Sequence, residues 1–175
     1  RSVSRSQCFK KVFVNNKLVI GTAQFGINYG IANSLGQVRS EEAKKILDYS
    51  LSKDINYIDT ATSYGESEKV LGGLDVNRFK IITKIPKIPY DQINPYDWLE
   101  SSVLDSLNRL NVKSIHALLL HSPEDLLGVH GLTLYKGLRE LKNKGIVKKI
   151  GVSVYSIDEI EVITDIDTKA LNSHS

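Results

Sequence analysis

The sequence predicts an α/β fold, a parallel sheet flanked by helices. Three observations carry that prediction. Short apolar runs of strand length alternate five times with amphipathic stretches of helix length along the 175-residue chain. The strand-like runs begin at Leu18, Ile55, Phe79, Ile115 and Lys148, about 30 residues apart, the size of a βαβ unit. The run Ile115–Leu120 is apolar almost throughout, the pattern of a strand covered on both faces.

Taken in order, Lys11–Val14 and Leu18–Gly21 flank Asn15-Asn16 and read as an N-terminal β-hairpin whose second arm is the first strand. Gly26–Gly36 holds three glycines and reads as loop. Ser40 is expected to cap a helix, with Glu41 and Glu42 suiting its dipole and Ala43, Ile46, Leu47 and Leu51 forming its inner face. Ile55–Asp59 is the second strand. A short helix over Glu66–Leu71 should stop at Gly72-Gly73, and Phe79–Lys84 is the third strand. Pro86, Pro89 and Pro95 are expected to hold an extended loop. A helix over Tyr96–Leu110 comes next, with Leu99, Val103, Leu107 and Leu110 on one face. After the Ile115–Leu120 strand come a helix over Leu132–Lys144 stopped by Gly145, a fifth strand over Lys148–Val154, and a helix capped by Ser156. The apolar period fades after Thr164. The expected organisation is a flexible segment 1–9, one domain over 10–164, and a disordered tail 165–175. With no methionine in the chain, the expectation is that Arg1 is not the initiator and that the sequence is a piece of a longer one.

Composition narrows the classes. A hydrophobic content of 41%, a charged content of 25% and a net charge of +3 are those of an ordinary globular domain. The lysines of Leu141–Lys149 flank a helix end and a strand start, with no interleaved aromatics, so no nucleic-acid partner is expected. No apolar run approaches the roughly 18 residues of a membrane span. Cys8 is the lone cysteine, which excludes an internal disulfide and suits a cytoplasmic setting. The four histidines lack metal-ligand spacing. Gly21, Gly26 and Gly30 lack the Gly-x-Gly-x-x-Gly spacing of a dinucleotide-binding turn, which demotes an open doubly wound sheet against part of an eight-fold barrel.

Chemistry in parallel α/β proteins sits at the carboxyl ends of strands. Three predicted strands end in reactive residues: Ile58-Asp59, with Tyr64 in the loop beyond it, Thr83-Lys84 and Leu120-His121. A carbonyl reduced by hydride needs a proton at oxygen. A phenol is a weak acid at neutral pH, and a neighbouring ammonium brings it closer to use. An aspartate would hold that ammonium, and a histidine could orient the carbonyl. The hydride must come from a cofactor.

This constellation, within Asp59-Thr-Ala-Thr-Ser-Tyr64-Gly, resembles the aldo-keto reductase family. Gly21-Thr-Ala-Gln-Phe-Gly26 is similar to that family's first strand and loop, and Lys144-Gly-Ile-Val-Lys-Lys-Ile-Gly-Val-Ser153 to the segment entering its fifth strand. The resemblance implies a (β/α)8 TIM-type barrel, of which this chain would hold an N-terminal β-hairpin and about five βα units, an incomplete barrel. It implies Asp59, Tyr64, Lys84 and His121 as catalytic tetrad, and Gly21, Thr22, Asp59 and Ser153 as contacts of an NADPH cofactor. It also implies Gln24 and Tyr29 at the mouth for a small-molecule carbonyl substrate. The Gly21–Asn33 segment is similar to family members among bacterial sugar enzymes, so a sugar-like carbonyl is expected. Val154 stands where the family usually has asparagine, which removes one expected cofactor contact. The competing expectation is a truncated, inactive chain acting as an interaction module, self-associating through the open barrel edge.

Overall fold

The computed structural model describes residues 18–30, 33 and 36–172. Five parallel strands form one sheet in the order β1-β2-β3-β4-β5. They are β1 (Ile20–Gly21), β2 (Tyr57–Asp59), β3 (Lys80–Ile85), β4 (Ile115–Leu120) and β5 (Val147–Val152). Each strand pairs with its successor in sequence, so the order never reverses as it must in a doubly wound sheet. A sheet that keeps adding strands on one side is the wall of a barrel. Among the described residues β1 and β5 are its two edges. The first arm of the expected hairpin, Lys11–Val14, lies outside the described residues.

Among the described residues, seven α-helices accompany the strands: α1 (Ala23–Gly26), α2 (Ser40–Ser52), α3 (Ser67–Gly72), α4 (Pro95–Leu110), α5 (Glu124–Leu127), α6 (Gly131–Asn143) and α7 (Ile157–Asn172). Their apolar stripes cover one face of the sheet. Ile58, Ile81, Ile85, Leu118 and Leu120 are buried there with Leu99, Val103 and Leu107 of α4 and Leu134, Leu138 and Leu141 of α6. Strand alternation then fixes the other face. In β3, Ile81, Thr83 and Ile85 point into the core, which leaves Lys80, Ile82 and Lys84 on the concave side; in β2, Ile58 points in and Tyr57 and Asp59 do not.

Several local expectations need correction. Ser40 is the first helical residue of α2, not its cap; Arg39 flanks the helix with no side-chain cap bond, and its carbonyl accepts from Glu42 and Ala43. Pro95 belongs to α4 as its first residue, where a missing N–H costs nothing. Ala23–Gly26, expected as loop, is a single helical turn. Gly73 does come after α3 but with φ −78, an ordinary right-handed value. The constraint is on Gly72, where a Cβ would stand 2.1 Å from the Arg109 carbonyl of α4. Gly145 does use glycine's freedom, at φ +73 after α6. Ser156 caps α7 as expected: its Oγ accepts from Glu159 N at 3.3 Å, and Glu159 Oε2 accepts from Ser156 N at 3.1 Å, a capping box. The backbone of α7 continues to Asn172, beyond Thr164 where the domain was expected to end.

Candidate active site

The carboxyl ends of β2, β3 and β4 bring Asp59, Lys84 and His121 together, and the loop after β2 adds Tyr64. Lys84 is only 8% exposed, and a buried ammonium must be matched proton for proton. It is. Lys84 Nζ donates to Asp59 Oδ1 at 2.8 Å, to Asp59 Oδ2 at 2.7 Å and to the Thr60 carbonyl at 2.9 Å. Those three bonds use every donor that a lysine has. Lys84 Nζ also stands 5.1 Å from the centroid of the Tyr64 ring, so its charge reaches Tyr64 through space. The Tyr64 and His121 rings meet edge to face at 6.3 Å. Burial, and then the Lys84 charge, push the His121 pKa below its ordinary value, with Asp59 opposing. The imidazole is therefore neutral at neutral pH. Ser63 Oγ lies 3.1 Å from His121 Nδ1.

Backbone bonds lock the loop that carries Tyr64. Thr60 N donates to Ile82 O and Thr62 N to Lys84 O, both at 2.9 Å, so the chain continues the sheet's pairing beyond Asp59. Tyr64 N donates to Ala61 O at 3.0 Å, and Ser67 N to Tyr64 O at 3.1 Å. Beneath it runs a chain of buried hydroxyls. Thr60 Oγ1 and Ser67 Oγ are 3.0 Å apart, Ser67 donates to Thr22 O at 2.9 Å, and Thr22 Oγ1 donates to Asp59 O at 3.0 Å.

Two glycines let the β1 loop press against this loop. A Cβ on Gly26 would stand 1.7 Å from the Tyr64 carbonyl, and one on Gly65, at φ +56, would stand 2.6 Å from the Gly26 carbonyl. Position in a motif does not disclose this constraint on Gly26. Gly26→Ala is expected to cost about 1–3 kcal/mol or more, because backbone, not a pliable side chain, must move. Urea unfolding measures it, and a midpoint equal to that of the parent would remove this contact from the account.

The remaining expected residues divide. Gly21 is exposed at the end of β1, with nothing within 4 Å of where a Cβ would sit. Ser153, just past β5, is half-buried, and its hydroxyl has no hydrogen bond among the described residues; its N–H donates to Leu120 O at 2.9 Å. Thr22 differs: it is 0% exposed and its hydroxyl is spent on Asp59 O and Ser67. Its backbone is engaged as well, its N–H donating to Asp59 O at 3.0 Å and its carbonyl accepting from Phe25 N at 2.9 Å and Ser67 Oγ at 2.9 Å, so Thr22 braces the site and the expected cofactor contact is corrected to a structural one. Gln24 and Tyr29 are exposed and tied to each other, Gln24 Nε2 donating to Tyr29 O at 3.0 Å; neither hydrogen bonds to the four. Val154 is 38% exposed beyond Ser153.

A sheet of sequential parallel strands with a polar cluster at its carboxyl end defines a chain of the (β/α)8 TIM-barrel class. The particular family emerges from comparison. Residues 17–173 match the Aldo/keto reductase family, and the chain belongs to it. It is 36% identical to D-arabinose 1-dehydrogenase of Saccharomyces cerevisiae over 124 residues, covering 66% of this chain and 37% of the relative. A solved aldo-keto reductase-type protein of Pseudomonas aeruginosa superposes with a TM-score of 0.67 at 28% identity, over 81% of this chain and 56% of that one. The Bombyx mori aldo-keto reductase solved in complex with NADP shares the fold, with a TM-score of 0.62 at 19% identity over 85% of this chain and 50% of that one. The chain spans under half the length of the curated relatives it matches. No helix among the described residues is long and apolar enough to cross a membrane.

Proposed function

We propose that this chain carries the proton-delivering half of an NADPH-dependent reductase, cytoplasmic, which converts an aldehyde or ketone, sugar-like in kind, to an alcohol. One observation carries the reading. A buried lysine has all its protons fixed by Asp59 and Thr60 and holds its charge against Tyr64, with a neutral histidine beside the same ring. A lysine so enclosed does little for stability that an apolar residue could not do. Beside a phenol, it sets a fixed positive charge next to the group that would deliver the proton.

Tyr64 is the general acid, giving its phenolic proton to the carbonyl oxygen. Lys84 stands 5.1 Å from the centroid of the Tyr64 ring, and Asp59 holds Lys84 in place there. His121 donates to the same oxygen and orients it. The bound nicotinamide supplies the hydride. The donor set fits that cofactor at its reactive end: Gly21 leaves open space where a side chain would stand, Asp59 keeps 32% of its side chain exposed, and Ser153 has a hydroxyl with no partner among the described residues. Those three would hold the nicotinamide end, with Thr22 bracing Asp59 from beneath. The sugar-like substrate draws support from two relatives, the D-arabinose 1-dehydrogenase and a 6-dehydroglucose reductase of Novosphingobium aromaticivorans, 30% identical over 139 residues.

Calorimetric titration of the purified chain with NADPH tests the reading, together with turnover of aldoses and simple aldehydes. Binding at micromolar levels is expected. No heat up to millimolar cofactor, from a chain shown to be folded, would favour the other reading, an inactive interaction module. Self-association through the edges that β1 and β5 form among the described residues belongs to that second reading, and sedimentation reads it in the same samples.

A further inference from the structure

His121 comes directly after β4, its N–H donating to Ile85 O at 3.2 Å. Its ring faces the Lys84 and Asp59 charges and the edge of Tyr64. A neutral imidazole has one nitrogen that donates and one that accepts. A carbonyl oxygen only accepts, so His121 helps it only through a nitrogen that carries the proton. The opposite tautomer would set lone pair against lone pair. The partner of the second nitrogen therefore decides whether the ring can work. At Nδ1 that partner is Ser63 Oγ, 3.1 Å away. Ser63 comes from the loop after β2, 58 residues distant in sequence. Its hydroxyl makes no other hydrogen bond among the described residues, and its neighbour Tyr64 is fixed by the Gly26 and Gly65 contacts. A carboxylate at this position would demand the proton on Nδ1 and leave Nε2 bare. A hydroxyl can donate instead.

We infer that Ser63 is a positioning residue for His121: its hydroxyl donates to Nδ1, keeps the single imidazole proton on Nε2, and so makes the ring a donor to the carbonyl. The inference rests on the reductase function proposed for this site and assigns the group that gives His121 its role there. No atom of Ser63 takes part in the transfer itself.

Imidazole nitrogen shifts, read by long-range proton–nitrogen NMR on the whole chain at neutral pH, test this without cofactor or substrate. A His121→Asn sample identifies the signals. In the parent, Nε2 reads as protonated and Nδ1 as bare. In Ser63→Ala the two shifts move toward each other as both tautomers populate, and Ser63→Thr, which keeps the hydroxyl, restores the parent pattern. In turnover, Ser63→Ala lowers kcat/KM roughly two- to ten-fold, the worth of one hydrogen bond, and Ser63→Thr recovers it. A proton found on Nδ1 in the parent overturns the inference. So do parent-like shifts in Ser63→Ala, or altered shifts with unchanged kcat/KM. A parent chain with no turnover at all overturns the reductase reading and leaves the tautomer result standing on its own.

Discussion

Replacing Tyr64 with phenylalanine is expected to lower kcat/KM for carbonyl reduction by roughly 10²- to 10⁴-fold, the usual worth of a placed proton donor. The fold should not change. The bonds that hold the loop run through the Tyr64 backbone, to Ala61 O and from Ser67 N. The Tyr64 hydroxyl makes no hydrogen bond among the described residues, so removing it strands no buried partner. The ring keeps its edge contact with His121 and its place beside Lys84. NADPH affinity should therefore stay near that of the parent while turnover collapses. A variant that reduces its carbonyl at the parent rate would assign the proton to another group.

Replacing Glu68 with alanine is expected to destabilise the fold by about 3–5 kcal/mol, because it leaves the Arg109 charge and the Thr83 hydroxyl without their acceptor. Glu68 is 1% exposed and sits where α3 meets α4 and β3. Its Oε1 accepts from Thr83 Oγ1 at 2.6 Å, and its Oε2 accepts from Arg109 Nε at 2.8 Å and Ser106 Oγ at 3.3 Å. Thr83 and Ser106 are both 0% exposed; Ser106 keeps Arg109 Nη2 at 3.1 Å and Thr62 Oγ1 at 3.3 Å, whereas the Thr83 hydroxyl has no second partner among the described residues. The Arg109 side chain keeps 27% of its surface, which softens the loss on its side and favours the lower half of the range. Glu68→Gln keeps an acceptor without the charge and should fall between parent and alanine. Urea midpoints at constant slope measure all three. Equal midpoints for parent and alanine would mean that the network contributes nothing net. The same substitution reaches the site, since Thr83 precedes Lys84 and Ser106 Oγ lies 3.3 Å from Thr62 Oγ1.

What is legible in the sequence divides from the rest along a physical line. Ile115–Leu120 is legible to the residue, because a strand buried between helices and concave face is apolar nearly throughout. The pairing of Lys84 with Asp59 is legible for a related reason: both end apolar runs where unpaired charge is costly, which singles them out. Features set by distant contacts are not legible. Whether Pro95 opens a helix or holds a loop depends on the residues after it and on the packing of α4. Gly72 has the local pattern of a helix stop, but its role is to admit the Arg109 carbonyl. The Thr22 hydroxyl is available by local pattern alone, and the fold places Ser67 and Asp59 O against it. The partnership of Ser63 with His121 joins residues 58 apart, and no local pattern marks it.

The bonds that fix Lys84 and the Tyr64 loop all come from β1 to β4 and the segments directly after them. None requires β5 or anything beyond it. The consequence is modular. The Asp59–Lys84–Tyr64 cluster, to which the proposed function assigns proton delivery, is built and braced before the chain reaches β5. A chimera that joins residues up to the end of β4 to the remaining units of another family member should keep its Asp59–Lys84–Tyr64 geometry while taking substrate and cofactor preference from the new partner.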